Sequence, residues 1–148
     1  RWWMVAISSG IAPDSFELPT VGTNDTPISA IIEADAEGWS MNEGLKAKAV
    51  RDAAAGKGFA KRQLLTGEEM TCGTIGRYYA KNRSTEPHIV RSDGMERLFT
   101  PTEHAKVKSA PARLIANQVK TTAHEILGQA VDYLQPYNLT RALIGAIN

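Results

Sequence analysis

Between Cys72 and Arg91 the chain carries Arg77, Lys81, Arg83 and Arg91 against Glu86 alone, with Tyr78 and Tyr79 set among the cations. A basic, aromatic-containing stretch of this kind is compatible with a local polyanion site. An arginine can read guanine O6 and N7 through two hydrogen bonds, an asparagine can read adenine, and lysine, serine and threonine suit phosphates. The same run also fits a plain solvated face, and charge alone leaves both accounts open. His88, His104 and His124 are not spaced as a metal site and read as surface or capping residues. The lone Cys72 offers no zinc pattern. One cysteine excludes an internal disulfide and fits a reducing cytoplasm.

The net charge of +1 conceals a division. Residues 1–40 hold one basic residue, Arg1, against six acids, and the rest of the chain is basic, 16 against 10. The 148 residues, 43% of them hydrophobic and 22% charged, suit one domain or one lobe with a buried core. No run of about 18 apolar residues is present to span a bilayer, and no secretory signal opens the chain. The chain begins at Arg1 inside an apolar run and without an initiator methionine, which reads as a processed, truncated or split product.

The elements that must position these residues follow from pattern. Arg1 to Ser8 reads as a buried strand, and Pro27 to Ala34 as a short helix with Thr26 as its cap. Ser40-Met41-Asn42-Glu43 has the form of a capping box. Met41, Leu45, Ala49 and Ala53 then recur at helical spacing before the stop at Gly56. Lys57 to Phe99 turns short and strand-like, with a hairpin of Ile89 to Arg91, a Ser92-Asp93-Gly94 turn, and Met95 to Phe99. Thr100-Pro101-Thr102-Glu103 is a second capping box with proline at its preferred first position. A further helix is expected near Pro111, another opened by a third box at Thr122-Ala123-His124-Glu125. A closing helix after Pro136 carries Leu139, Leu143, Ile144 and Ile147 on one stripe.

Arg97-Leu98-Phe99-Thr100-Pro101-Thr102-Glu103-His104-Ala105-Lys106-Val107-Lys108-Ser109-Ala110-Pro111 resembles a motif of cytosine-5 DNA methyltransferases, Arg-x-Leu-Thr-Pro-x-Glu-x-Ala-Arg-Leu-x-Gly-x-Pro. Arginine, Thr-Pro, glutamate, alanine and the last proline match in register. Phe99, Lys106 and Val107 are conservative departures, and Ser109 stands where the pattern has glycine. Downstream, Gly128-Gln129-Ala130-Val131 is similar to the family's Gly-Asn-Ala/Ser-Val, with Gln129 departing from asparagine. Arg1 and its apolar run are similar to the end of the Gln-x-Arg-x-Arg-plus-strand motif. Thr74-Ile75 resembles the Thr-Leu/Ile/Val pair of the recognition region.

The resemblance implies an α+β fold. A small β-rich DNA-recognition module would be joined to helices that complete a Rossmann-like, AdoMet-dependent methyltransferase core. It divides the chain into core strand and connection (1–39), target-recognition region (40–96) and returning C-terminal helices (97–148). Enzymes of that family extrude a cytosine from the duplex, attack its C6 with a cysteine thiolate and methylate C5 from S-adenosyl-L-methionine. Their nucleophile follows a proline, whereas Cys72 follows Thr71 in the recognition segment, so by the resemblance it reads as an ordinary buried cysteine. The glycine-rich cofactor loop and catalytic glutamate motif are absent too, so this chain alone is expected to be inactive.

By the same resemblance Arg1 would hydrogen-bond the flipped cytosine near O2. Gln129 and Val131 would line the cofactor pocket, unless they form a plain interhelical turn. Arg97 would brace the recognition module through a carboxylate partner. Duplex DNA would meet Arg77, Tyr78, Tyr79, Lys81, Asn82, Arg83, Ser84 and Thr85. One of the two tyrosines is expected to be buried, because neighbouring strand residues face opposite ways. Lys57, Lys61 and Arg62 are second-tier backbone contacts. A catalytic lobe or subunit bearing the Pro-Cys nucleophile is the implied partner, and a large apolar surface should be exposed where it docks. A non-catalytic DNA-binding remnant and a structural or assembly protein are the competing readings.

Overall fold

Two hydrogen bonds begin the best-defined helix of the protein. In the computed structural model, which describes residues 4–20, 25–57 and 62–147, the amide of Glu103 donates to Thr100 Oγ1 at 3.1 Å. The amide of Thr100 donates to the Glu103 carboxylate at 2.7 Å. This reciprocal box satisfies two of the donors that a helix start leaves unpaired. In chain order the elements are α1 (Glu43–Ala54), β1 (Gln63–Leu65), β2 (Pro87–Val90), β3 (Glu96–Arg97), α2 (Pro101–Val107), α3 (Lys120–Gln129) and α4 (Leu134–Ile147). Short 3-10 turns lie at Ile28–Ala30, Tyr79–Lys81 and Ala112–Leu114.

The sheet is small, in the order β1-β2-β3. β1 runs parallel to β2, with Gln63 opposite Pro87 and Leu65 opposite Ile89. β2 and β3 form the expected hairpin, pairing Ile89 with Arg97 and Val90 with Glu96. Its turn works through Asp93, whose carboxylate accepts from the Met95 amide at 3.0 Å, and Gly94, whose φ of +80° favours glycine. Ser40 adds an isolated bridge to Glu96. The core gathers Ile28, Leu65, Ile75, Tyr79, Ile89 and Phe99, with Trp39, Cys72, Leu98 and Val107 packed around it. Residues from all three sequence segments therefore share one apolar centre.

Several local expectations yield to longer-range packing. Residues 4–8 are irregular and mostly exposed rather than a buried strand, and Arg1 lies outside the described residues. The Pro27–Ala34 helix shrinks to one 3-10 turn. The first box does not form: α1 begins after Asn42, which takes a left-handed φ of 48° without a side-chain cap, and Ser40 Oγ accepts from the Asn42 amide instead. Glu43, freed of that task, is free to ion-pair with Lys46 at 3.8 Å. Thr122 lies inside α3, which starts at Lys120 after Val119, so its box is not a boundary. Near Pro111 there is only the 3-10 turn, and α4 starts before Pro136, which occupies its first turn, where the missing N–H costs nothing.

Candidate nucleic-acid interface

The resemblance motif forms a buried polar hub. Arg97 forks onto Glu103 with two hydrogen bonds of 2.7 Å, and both side chains are almost wholly inaccessible. Arg97 also donates to the carbonyls of Leu98 and Glu33, while Glu103 accepts from the amide of Glu33 at 2.7 Å. Burial opposes ionisation of Glu103, yet the Arg97 bonds and the Glu33 and Thr100 amides hold its carboxyl below the ordinary range. The arginine expected to brace the module thus finds its carboxylate six residues away, and the pair binds β3, α2 and the 28–33 segment together. Both Arg97, at 4.9 Å, and Arg91, at 4.5 Å, lie over the Trp39 ring, extending the hub toward the hairpin tip.

Ser109 explains its own departure from the motif. Its φ of 51° is the left-handed conformation that a glycine would adopt without strain. Gly128 is needed for another reason: a Cβ there would overlap the carbonyl of Gly76, so α3 could not lie against the loop that precedes Arg77.

Next to the hub, three buried residues replace the expected surface histidines. His104 Nδ1 lies 3.0 Å from His124 Nδ1, and the rings stack with centroids 5.3 Å apart. Both residues are fully buried, with Tyr79 against each ring. Burial, then the His124 charge and Lys108, lower His104 to about 3. Burial and Lys120 lower His124 to about 4. A pair this close shares one proton, and charging both rings would set two cations together in the core. His88 is buried as well, with Nδ1 2.8 Å from the carbonyl of Glu86 and Nε2 2.6 Å from Asn82 Oδ1, and burial lowers its pKa. Their polarity suggested surface positions, and the fold buries all three.

The basic stretch divides into an outer and an inner set. Tyr79 is fully buried: its hydroxyl donates to the Pro87 carbonyl and accepts from the Phe99 amide, each at 2.8 Å. Ser84 is buried, and Asn82, at a left-handed φ of 50°, is held against His88 and Asn42. Buried side chains present nothing to DNA, so Tyr79 and Ser84 leave the set of contacts and Asn82 is a loop fastener. Arg77, Tyr78, Lys81, Arg83 and Thr85 remain exposed. Around the Tyr78 ring stand Arg77 at 5.3 Å, Lys81 at 4.6 Å and Arg83 at 5.3 Å. Arg77 also pairs with Glu125 on α3. Among the second-tier residues, Arg62 turns inward to the buried Glu96 and Lys57 approaches Asp52 at 4.0 Å. Lys61 lies outside the described residues.

Gln129 is exposed at the end of α3, its amide donating to the Glu125 carbonyl at 3.4 Å, and Val131 is half-buried just beyond. Together they present an amide and an apolar surface. A polar cleft of about 260 Å³ lies elsewhere, among Ser40, Asn42, Asn82, Glu96, Arg97 and Lys120. Cys72 is half-buried, and burial raises its thiol, which is the state of an unreactive cysteine.

No family model matches this sequence, and no curated protein matches it. Solved structures do match its fold. The methyltransferase EhMeth of Entamoeba histolytica superposes with a TM-score of 0.65 at 15% identity, covering 93% of this chain and 46% of that one. The S. pombe Dnmt2 methyltransferase gives 0.60 at 14% identity, covering 80% of this chain and 39% of that one. The chain therefore has a methyltransferase-type mixed α/β fold and spans less than half the length of either structure.

Proposed function

We propose that the chain is the target-recognition and C-terminal portion of a DNA (cytosine-5)-methyltransferase. It would work with a catalytic lobe, in the same or a second polypeptide, that carries the Pro-Cys nucleophile. The observation that carries this reading is the hub: the residues that resemble the family motif, Arg97, Thr100 and Glu103, are those that lock the module together. The methyltransferase-type fold supports it independently.

In this reading the exposed cations Arg77, Lys81 and Arg83 and the hydroxyl of Thr85 hold the backbone and base edges of the target. The cytosine must leave the stack before its ring face can be attacked. Bound S-adenosyl-L-methionine supplies the methyl group, and an amide beside a half-buried apolar residue fits one wall of its site. Gln129 and Val131 would form that wall, and the enclosing walls belong to the catalytic lobe. Arg1 would stabilise charge near O2 of the cytosine. Affinity for DNA falls with salt, because each phosphate contact releases counterions.

Native mass spectrometry of the protein from its source tests the proposal. The expected result is this sequence in a stable complex, or in one polypeptide, with a Pro-Cys lobe that transfers labelled methyl groups to cytosine C5. A complete assembly that leaves cytosine unmethylated overturns it.

A further inference from the structure

We propose that Tyr78 is a stacking platform for one unpaired base, with Lys81 and Arg83 holding the phosphates that flank it. This face would then prefer an unpaired strand to a fully paired duplex. The inference deepens the nucleic-acid reading of the same face and rests on it.

The two adjacent tyrosines have opposite fates. Tyr79 is 0% exposed and fastened on both sides, whereas Tyr78 is 45% exposed. A large aromatic left open in the midst of three cations gains little from the fold, since none of the buried core includes it. Of those cations, Arg77 is neutralised by Glu125, but no described carboxylate forms an ion pair with Lys81 or Arg83. Glu86, the acid of this stretch, is buried, and burial raises its pKa despite Arg83. Like charges gathered around one ring repel, and a polyanion relieves that repulsion.

The platform is also held rigid. Tyr79 anchors its C-terminal side, Asn82 closes the 3-10 turn in a left-handed conformation bonded to His88, and α3 presses on Gly76. A backbone already fastened at the platform loses little freedom on binding. Base faces inside a duplex are covered by their neighbours, so an exposed ring on a protein surface can stack only on a base that has left the helix. Aromatic platforms flanked by cations are the usual chemistry of single-strand binding, and cations beside the ring add to the attraction.

Fluorescence anisotropy of the full chain decides it, with labelled oligothymidylate, labelled oligouridylate and a thymidylate–adenylate duplex of equal length as probes. Wild type should bind an unpaired strand more tightly than the duplex, whichever of the two strands is used. Tyr78→Ala should weaken strand binding about tenfold or more while changing duplex binding less than about twofold. Tyr78→Phe should restore the affinity, and Lys81→Ala should lower the salt slope by about one unit. An unchanged melting temperature shows that Tyr78→Ala still folds. Equal losses on strand and duplex, no loss on the strand, or a wild-type preference for duplex overturns the inference while leaving duplex recognition intact. Failure to bind any probe overturns both.

Discussion

The middle of this protein and its two ends obey opposite rules. Around β2, β3, α2 and α3 even polar and charged groups are buried and paired with one another: Arg97 with Glu103, Glu96 with Arg62, His104 with His124. Along residues 4–18 and in α4 the situation is reversed, with apolar groups left in water. Met4, Ile11 and Leu18 are exposed, as are Leu134, Tyr137, Ile144 and Ile147, and not one residue of the 14-residue α4 is buried. The two ends lie side by side, enclosing an apolar cleft of about 220 Å³ among Val5, Ile7, Ile11, Leu143 and Ile147. A compact monomer of 16.1 kDa exposes roughly 7,400 Å² by the usual scaling, whereas this chain exposes 10042 Å². The middle holds itself together, and the ends leave an apolar surface open to water.

The sharpest way to break the contrast is Glu103→Gln. It preserves shape but leaves the Arg97 guanidinium buried without a counter-charge, and urea denaturation should show a loss of about 3–5 kcal/mol. A change near zero would mean the middle does not depend on its hub.

Acid should attack the same region next. The histidine pair has folded pKa values below the unfolded value of 6.5, so the unfolded chain binds more protons at acid pH. Stability is then full above pH 6.5 and falls as pH drops toward about 4 and about 3. Glu103, with its pKa held below the ordinary 4.5, acts in the same direction once the pH falls below that value. Thermal melts at pH 7 and pH 5 should differ by roughly 2–4 kcal/mol, a loss that His124→Asn reduces. A flat profile would refute a neutral buried pair.

Ser109→Gly should stabilise the protein by up to about 1 kcal/mol, since glycine takes the left-handed conformation without a Cβ penalty. A destabilised variant would show that the Ser109 side chain contributes more than its backbone costs. Ile144→Lys probes the other region and should move the melting temperature of the isolated chain least, by the equivalent of about 0.5 kcal/mol. It should nevertheless abolish the association with a catalytic lobe proposed above. A large loss of stability would show instead that α4 is part of the protein's own core.

Signals contained within a few residues were legible from the sequence. The hairpin turn at Asp93-Gly94, the capping box at Thr100 and the stop at Gly56 all appear, because each is completed by neighbouring backbone. The motif resemblance likewise pointed to the methyltransferase-type fold that the solved structures share. Ser40 and Thr122 carried equally good box sequences that were not used, since bridging to Glu96 claims the backbone at Ser40 and α3 simply begins earlier. Which tyrosine turned outward, which carboxylate met Arg97 and why three histidines are buried were decided only by tertiary structure. Desolvation and pairing depend on what packs around a side chain, and those neighbours come from segments up to 70 residues apart, as Glu33 and Glu103 do. Composition placed the cations and tyrosines in one stretch; the fold alone sorted that stretch into a buried fastening of Tyr79 and Ser84 and an exposed ring of charge around Tyr78.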